Sequence, residues 1–161
     1  MKISRLVSIL LALTFFGCSD DIQILEERIK TQAKLNNTQI SSAEIKKTAL
    51  YLNAWSKKDF YEDAIEGFLE EDKLEFPKEI EVLFTGSSSI RFWNTLEDDM
   101  QPLKVLNRGF GGAHIAHVNY HFKDVIQRYS PKAIVFFCGT NDLTALKTPE
   151  ETIQDFEILK D

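Results

Sequence analysis

Three short apolar runs in the second half of the chain have the composition of buried β-strands, because they are rich in Val, Ile, Leu and Phe. The predicted strands are 81–85, 104–106 and 133–138. Apolar residues recur at helical spacing over 115–129 and again from Pro149 onward. Strands that alternate with helices predict a parallel sheet within an α/β fold.

The residues before the first strand show helical patterns instead. Ser41 and Glu44 are placed to form a capping box at the start of one helix. The apolar face of this helix is Ile45, Ala49, Leu52 and Trp55. A second helix is expected to follow Asp59, and the acidic run 70–72 near its end is expected to be solvated.

The beginning of the chain has the pattern of a bacterial export signal. Lys2 and Arg5 precede an apolar run over 6–16, which is shorter than the roughly 20 residues that a membrane-spanning helix needs. The end of this run resembles a lipobox, in which cleavage would leave Cys18 as a lipid-modified N-terminus. The alternative is an ordinary signal peptide with an incidental cysteine. The favoured prediction is an exported lipoprotein, anchored on the periplasmic or cell-surface side of a bacterial envelope and touching the membrane only through its lipid.

The composition argues against a nucleic-acid partner, and the two cysteines are not predicted to form a disulfide. The net charge is −6, whereas a nucleic-acid partner requires a basic face. The two cysteines lie in different contexts, Cys18 after the signal segment and Cys138 at the end of an apolar run. Cys138 is therefore expected to be a free, hydrophobic thiol.

Small polar residues follow each predicted strand, which places candidate chemistry at the carboxyl edge of the sheet, where ligands of open α/β sheets bind. Ser88 is the candidate nucleophile after the first strand. The backbone N–H groups of Ser88 and Gly112, with the side-chain amide of Asn141, are candidate oxyanion donors. Taken singly, Ser88 also fits a helix N-cap and Asn141 a turn, but their coincidence at three strand ends favours a site.

Three segments, 86–88, 107–112 and 139–142, resemble in order and placement the first three sequence blocks of the SGNH (GDSL-type) hydrolases. The run G-S-S-S-I-R-x-W over 86–93 is similar to a bacterial esterase subgroup of that superfamily. The resemblance implies a flavodoxin-like three-layer α/β/α fold with a parallel sheet.

The resemblance also implies an activity. Ser88 would be the nucleophile, and Ser88, Gly112 and Asn141 would line the oxyanion hole. The reaction would be hydrolysis of carboxylic esters, of lipids, acylated sugars or small acyl compounds, through an acyl-serine intermediate. Neither a cofactor nor a metal is implied.

One block of the family pattern is missing from the sequence. D-x-x-H, which supplies the catalytic acid and base, does not occur after Asn141, and three strands are predicted where the family has five. Two alternatives therefore stay open: a non-catalytic acyl- or sugar-binding lipoprotein, and an inactive truncated product. An incomplete sheet would also leave 133–138 as an open apolar edge, which predicts aggregation or dimerisation.

The three histidines, His114, His117 and His121, all lie in or just after the second block. They are expected to form a partly exposed polar helix face, with His114 as a possible substrate contact. The predicted organisation is a lipoprotein-type signal peptide over 1–17, a tether with N-terminal helices over 18–75, and a partial SGNH hydrolase domain over 76–161.

We expect mass spectrometry of the mature protein to find a diacylglyceryl modification on Cys18, because the export pattern ends there. Cys18→Ser should leave the protein unlipidated, while Cys138→Ser should leave the modification intact. A mature N-terminus at another residue without lipid would contradict this prediction.

Overall fold

The computed structural model describes the backbone of residues 4–160 and the side chains of residues 20–159. The predictions of a signal segment over 1–17 and of lipidation at Cys18 lie outside the described side chains. The chain divides between Ser56 and Lys57 into two compact units. Within the described residues, no helix has both the length and the apolar content needed to cross a membrane.

The first unit contains helices α1, Ser4–Leu35, and α2, Ser42–Trp55, which contact each other. The capping box before α2 is confirmed: the Glu44 N–H donates to Ser41 Oγ at 3.3 Å, and the Ser41 N–H donates to Glu44 Oε2 at 2.9 Å. The helical part of the predicted tether extends as far as Leu35. The predicted apolar face of α2 is buried at Ile45, Ala49 and Leu52.

The second unit begins with helix α3, Glu62–Leu74, and then alternates strands with short helices. The strands are β1, Val82–Gly86; β2, Val105–Gly109; and β3, Ala133–Phe137. The helices after α3 are α4, Ser88–Arg91; α5, Leu96–Asp99; α6, Ile115–Tyr120; α7, Phe122–Val125; a 3₁₀ helix, Gln127–Tyr129; α8, Thr140–Thr144; and α9, Pro149–Lys160.

The described strands form a three-stranded, fully parallel sheet in the order β2-β1-β3. This is the beginning of the flavodoxin-like strand order, and the expected α/β fold is confirmed. Because β1 is central, both neighbours are aligned to it, and Gly86 is level with Gly109 on one side and with Phe137 on the other. The ends of all three strands therefore lie side by side.

Helices cover both faces of the sheet, because successive residues of β1 point to opposite sides. Leu83 is fully buried and belongs to a core with α3, α6 and α7 on one face. Phe84 is buried on the other face against Ile90 of α4 and Leu96 of α5. The short α4 thus packs directly on the strand that precedes it.

The prediction of one continuous helix over 115–129 is wrong. The segment breaks at His121 and again at Ile126, where the backbone has φ −130° and ψ −65°. It continues as a 3₁₀ turn that ends at Tyr129. The break turns Val125, Ile126 and Tyr129 all into the same core, which one straight helical face would not achieve.

A buried network of hydrogen bonds connects α3 with β2. The expectation that the acidic run 70–72 is solvated is therefore wrong at Asp72. Asp72 is 5% exposed; its Oδ1 accepts from Arg108 Nη2 at 2.6 Å and its Oδ2 accepts from the Tyr129 hydroxyl at 2.7 Å. Arg108 Nε donates to the same hydroxyl at 2.8 Å. Burial raises the pKa of Tyr129 to about 12, so the phenol keeps the proton that it donates.

We expect Tyr129→Phe to lower the free energy of unfolding by about 1–3 kcal/mol, because Arg108 and Asp72 each lose a hydrogen-bond partner in a buried site. Chemical denaturation measures the change. Tyr120→Phe removes a hydroxyl from a half-exposed ring and serves as the matched control, with an expected change within about 0.5 kcal/mol. Equal stability of the two variants would show that the network contributes nothing.

Candidate active site

Three loops meet at the carboxyl edge of the sheet, because the strands that lead into them are in register. Ser87 and Ser88 follow β1, residues 110–113 follow β2, and residues 138–141 follow β3. This is the edge at which the sequence places Ser88, Gly112 and Asn141.

Gly86 fixes how closely β1 and β3 approach at this edge. It has φ +130°, and a Cβ built on it would lie 2.1 Å from the carbonyl oxygen of Phe137. The same oxygen accepts a hydrogen bond from the Ser87 N–H at 3.0 Å. No side chain fits between these backbones, so glycine is required here for both conformation and space.

The three consecutive serines after Gly86, at positions 87–89, differ in how far they are exposed to solvent. Ser87 is 4% exposed, and its backbone N–H donates a hydrogen bond to the Phe137 carbonyl. Ser88 is partly buried and begins α4, whereas Ser89 is exposed. Ser88 is thus the partly accessible serine between a buried and an exposed neighbour, at the start of α4.

Asn107 holds α4 in place, and the sequence analysis did not single out this role. Its Nδ2 donates to the carbonyl of Ile90 at 2.7 Å, and its Oδ1 accepts from the Gly109 N–H at 2.9 Å. A Cβ on Gly109 would lie 2.7 Å from the backbone nitrogen of Arg91. The sequence does contain a signal for this role of Asn107, because Gly109 follows it by two residues at the end of β2. At that spacing an Asn side chain can hydrogen-bond the backbone two residues further on.

The loops after β2 and β3 are joined by hydrogen bonds to the backbone of Ala113 and of Ile115. The Ala113 carbonyl accepts from Asn141 Nδ2 at 3.0 Å and from Cys138 Sγ at 3.1 Å. Asp142 Oδ2 accepts from the Ile115 N–H at 3.1 Å. These bonds set the position of Asn141 beside the turn that contains Gly112.

The Cys138 side chain is a free thiol, as predicted, and it is a hydrogen-bond donor. Burial raises its pKa to about 12, and the charge of Asp142 acts in the same direction. The sulfur is therefore protonated at neutral pH and is unsuited to nucleophilic attack.

An ion pair between Lys147 and the buried Asp142 stabilises the loop after β3. Asp142 is fully buried, and Lys147 Nζ lies 3.1 Å from its Oδ1 and 2.5 Å from Asp155 Oδ2 on α9. Burial raises the pKa of Asp142, and the ammonium of Lys147 opposes that effect. Lys147 thus ties the loop after β3 to α9.

The histidines do not form the partly exposed face that the sequence analysis expected. His114 and His117 are fully buried, with stacked rings 4.7 Å apart, and His121 is 5% exposed. His117 Nδ1 accepts from the His114 N–H at 2.8 Å, and its Nε2 lies 3.0 Å from the carbonyl of Lys57. The carbonyl is an acceptor, which assigns the proton of His117 to Nε2.

His114 is consequently not placed for the expected substrate contact. Burial lowers its pKa to about 3, with the charges of His117 and Lys147 acting in the same direction, so its ring is neutral at physiological pH. Its ring is enclosed in the interior, and a substrate at the surface would not reach it. Among the described residues, no hydrogen bond joins Ser88 to a histidine or a carboxylate.

Comparisons with known proteins bear on the fold. No protein-family model and no curated protein matches the sequence. A solved structure described as "a putative platelet activating factor from Streptococcus pneumonia" matches with a TM-score of 0.55 and 19% identity over 74% of this chain. The likeness shows the α/β fold. The chain spans about half, 53%, of the length of that structure.

We expect Gly86→Ala to destabilise the second unit by at least about 3 kcal/mol, because the new Cβ would overlap the Phe137 carbonyl and the backbone has positive φ. Gly67→Ala is the matched control: this glycine lies within α3 with no atom within 4 Å of its Cβ position. It should stabilise by about 0.5–1 kcal/mol. Thermal denaturation of the two variants tests the pair, and a tolerated Gly86→Ala would contradict the close approach of the strands.

Proposed function

We propose that the protein is an exported, lipid-anchored serine esterase of the SGNH type, with Ser88 as the nucleophile. The observation that supports this proposal is the register of the sheet, which brings the loops of Ser88, Gly112 and Asn141 to one edge. Asn107 fixes the helix of Ser88, and the bonds to Ala113 fix Asn141. A nucleophile and its oxyanion donors require this kind of rigid support.

In the proposed reaction the Ser88 oxygen attacks the carbonyl carbon of a carboxylic ester. Solvent water takes the hydroxyl proton and returns a proton to the leaving alcohol, because no histidine or carboxylate bonds Ser88 among the described residues. The backbone N–H groups of Ser88 and Gly112 and the amide of Asn141 stabilise the oxyanion. Collapse of this intermediate expels the alcohol and leaves an acyl-serine. Water then attacks the acyl group and releases the carboxylic acid. The substrate is an ester of a lipid, an acylated sugar or a small acyl compound, and no cofactor takes part.

A second candidate function is favoured by one specific observation. No hydrogen bond joins Ser88 to a histidine or a carboxylate among the described residues, and His114, His117 and His121 are buried. A site with oxyanion donors but without a base recognises an acyl or sugar ligand without turning it over. In that case the protein is a binding lipoprotein. An inactive product would neither bind the ligand nor hydrolyse it.

We expect an activated ester such as p-nitrophenyl acetate to acetylate Ser88 selectively, because acyl transfer from an activated ester, with p-nitrophenolate as leaving group, needs less base catalysis than the hydrolysis that follows. Peptide mass spectrometry should find the acetyl group on Ser88, and Ser88→Ala should abolish it. Turnover should be very slow, since only the oxyanion donors and binding contribute. Ser89→Ala, at an exposed neighbouring hydroxyl, is the matched control and should label normally.

Asn141→Ala provides a second measurement on the same site. It should slow acetylation of Ser88 by roughly 100-fold or more if the amide stabilises the oxyanion. Equal labelling of Ser88 and Ser89 would overturn the esterase proposal. Ester binding without acetylation would support the proposal of a binding protein. The absence of both binding and acetylation would support an inactive product.

A further inference from the structure

A cleft of about 470 Å³ lies at the carboxyl end of β2, next to the candidate active site. Helix α3 lines one wall, and the end of α4 together with α5 lines the other. Sites for small molecules have volumes of about 300–1,000 Å³, so this cleft has room for a ligand. Every residue that lines it precedes β3 in the chain and belongs to the second unit.

Arg91 connects this cleft with the candidate active site. It follows Ser88 by three residues, which places both side chains on the same side of α4. Its side chain lies against Gly111, where a Cβ would be 2.9 Å from Arg91 Nη1 and 3.4 Å from its Cδ. Gly111 precedes Gly112, whose N–H is a candidate oxyanion donor. A ligand that Arg91 binds in the cleft is therefore adjacent to both Ser88 and the oxyanion turn.

Trp93 gives the cleft an aromatic wall in a fixed orientation. Its Nε1 donates to Asp99 Oδ2 at 2.6 Å. Its ring is edge-on to that of Phe84, with the centroids 5.7 Å apart and an interplanar angle of 80°. A ring held in this way offers a large apolar area and loses little conformational freedom when a ligand packs on it. The C–H face of a sugar ring packs on an area of that kind.

The polar side chains around Trp93 have unused hydrogen-bonding capacity. Arg91 supplies donors, Glu97 supplies acceptors, and the amide of Asn94 supplies both. Within the part of the chain that the structure describes, none of these three side chains forms a hydrogen bond or an ion pair. An anion would be repelled by Glu97 and Asp98, and a cation by Arg91. A neutral hydroxyl both donates and accepts, so the set fits a neutral, hydroxyl-rich ligand.

An added peptide strand fits this cleft less well, because the backbone of β2 is already bonded there. The Gly109 N–H donates to Asn107 Oδ1 at 2.9 Å, and the Asn107 carbonyl accepts from Arg108 Nη1 at 3.1 Å. Strand addition needs free backbone groups at the edge of a sheet. The cleft therefore favours a small molecule.

We propose that this cleft binds the alcohol part of the ester as a sugar ring, with one face of the ring on Trp93 and its hydroxyls bonded to Arg91, Asn94 and Glu97. The inference rests on the proposed esterase function and selects acylated sugars among its substrates. Acyl transfer breaks the bond between the acyl carbon and the sugar oxygen and forms the acyl-serine at Ser88. A proton from water restores the sugar hydroxyl, and the sugar leaves through the cleft.

The fluorescence of Trp93 measures sugar binding without requiring catalysis. The chain has two tryptophans, so Trp55→Phe leaves Trp93 as the reporter. Methyl β-glucoside, methyl β-galactoside and N-acetylglucosamine are added to the whole chain in mild detergent up to about 100 mM, which covers millimolar dissociation constants. At least one of them should change the emission in a saturable way. Inorganic phosphate and choline, the anionic and cationic probes, should not.

Two substitutions in the Trp55→Phe chain locate the binding. Arg91→Gln and Asn94→Ala should each weaken it by about fivefold or more, because each removes a hydrogen-bonding group from the cleft. Lys123→Gln, which removes a positive charge from an exposed residue of α7 outside the cleft, is the matched control and should bind normally. Binding of none of the sugars would overturn the proposal. So would binding of phosphate or choline in their place, or an equal loss in Lys123→Gln.

Acetylation of Ser88 by p-nitrophenyl acetate separates this inference from the proposed function. A saturating sugar should slow acetylation, because it occupies the space of the leaving group, and an unchanged rate would overturn the assignment to the alcohol part. Acetylated Ser88 in a chain that binds no sugar would overturn the cleft and keep the esterase. Sugar binding that depends on Arg91, without acetylation, would support the cleft and overturn the esterase.

Discussion

The contact between Gly86 and the Phe137 carbonyl is the constraint on which the rest of the second unit depends. It sets the separation of β1 and β3 where both strands end, and it holds the carbonyl in place for the Ser87 N–H. The parallel register then aligns Gly109 with Gly86, which brings the loop after β2 to the same edge. A side chain at Gly86 would force the strands apart and separate the groups that form the candidate site.

Polar groups in the interior contribute order rather than simple stability. The network of Asp72, Arg108 and Tyr129 joins α3, β2 and the 3₁₀ turn, three segments distant in sequence. Burying such charges has a large desolvation cost, which is offset only when every partner is present. The network thus favours one arrangement of α3 on the sheet, and the pair of Lys147 with Asp142 does the same for the loop after β3.

The candidate site combines rigid support for a nucleophile with an interior that suppresses ionisation. Asn107 and Ala113 position the loops through hydrogen bonds, whereas burial keeps His114 neutral and Cys138 protonated. Ser88, the first residue of α4, is partly accessible, whereas Ser87 before it is buried. The chemistry proposed for the protein therefore rests on Ser88 and on the donors around it.

Local sequence determined the strands, the capping box of α2 and the glycine-rich ends that predict a site at the carboxyl edge. These features depend on side-chain periodicity and turn chemistry, which act over a few residues. Burial of Asp72 and of the histidines, the break at His121 and the role of Asn107 were decided by tertiary structure. Burial of Asp72 depends on Arg108, and burial of His117 on the carbonyl of Lys57, both far away in the chain. A polar side chain is buried only where the fold supplies its hydrogen bonds, and local pattern does not contain that information.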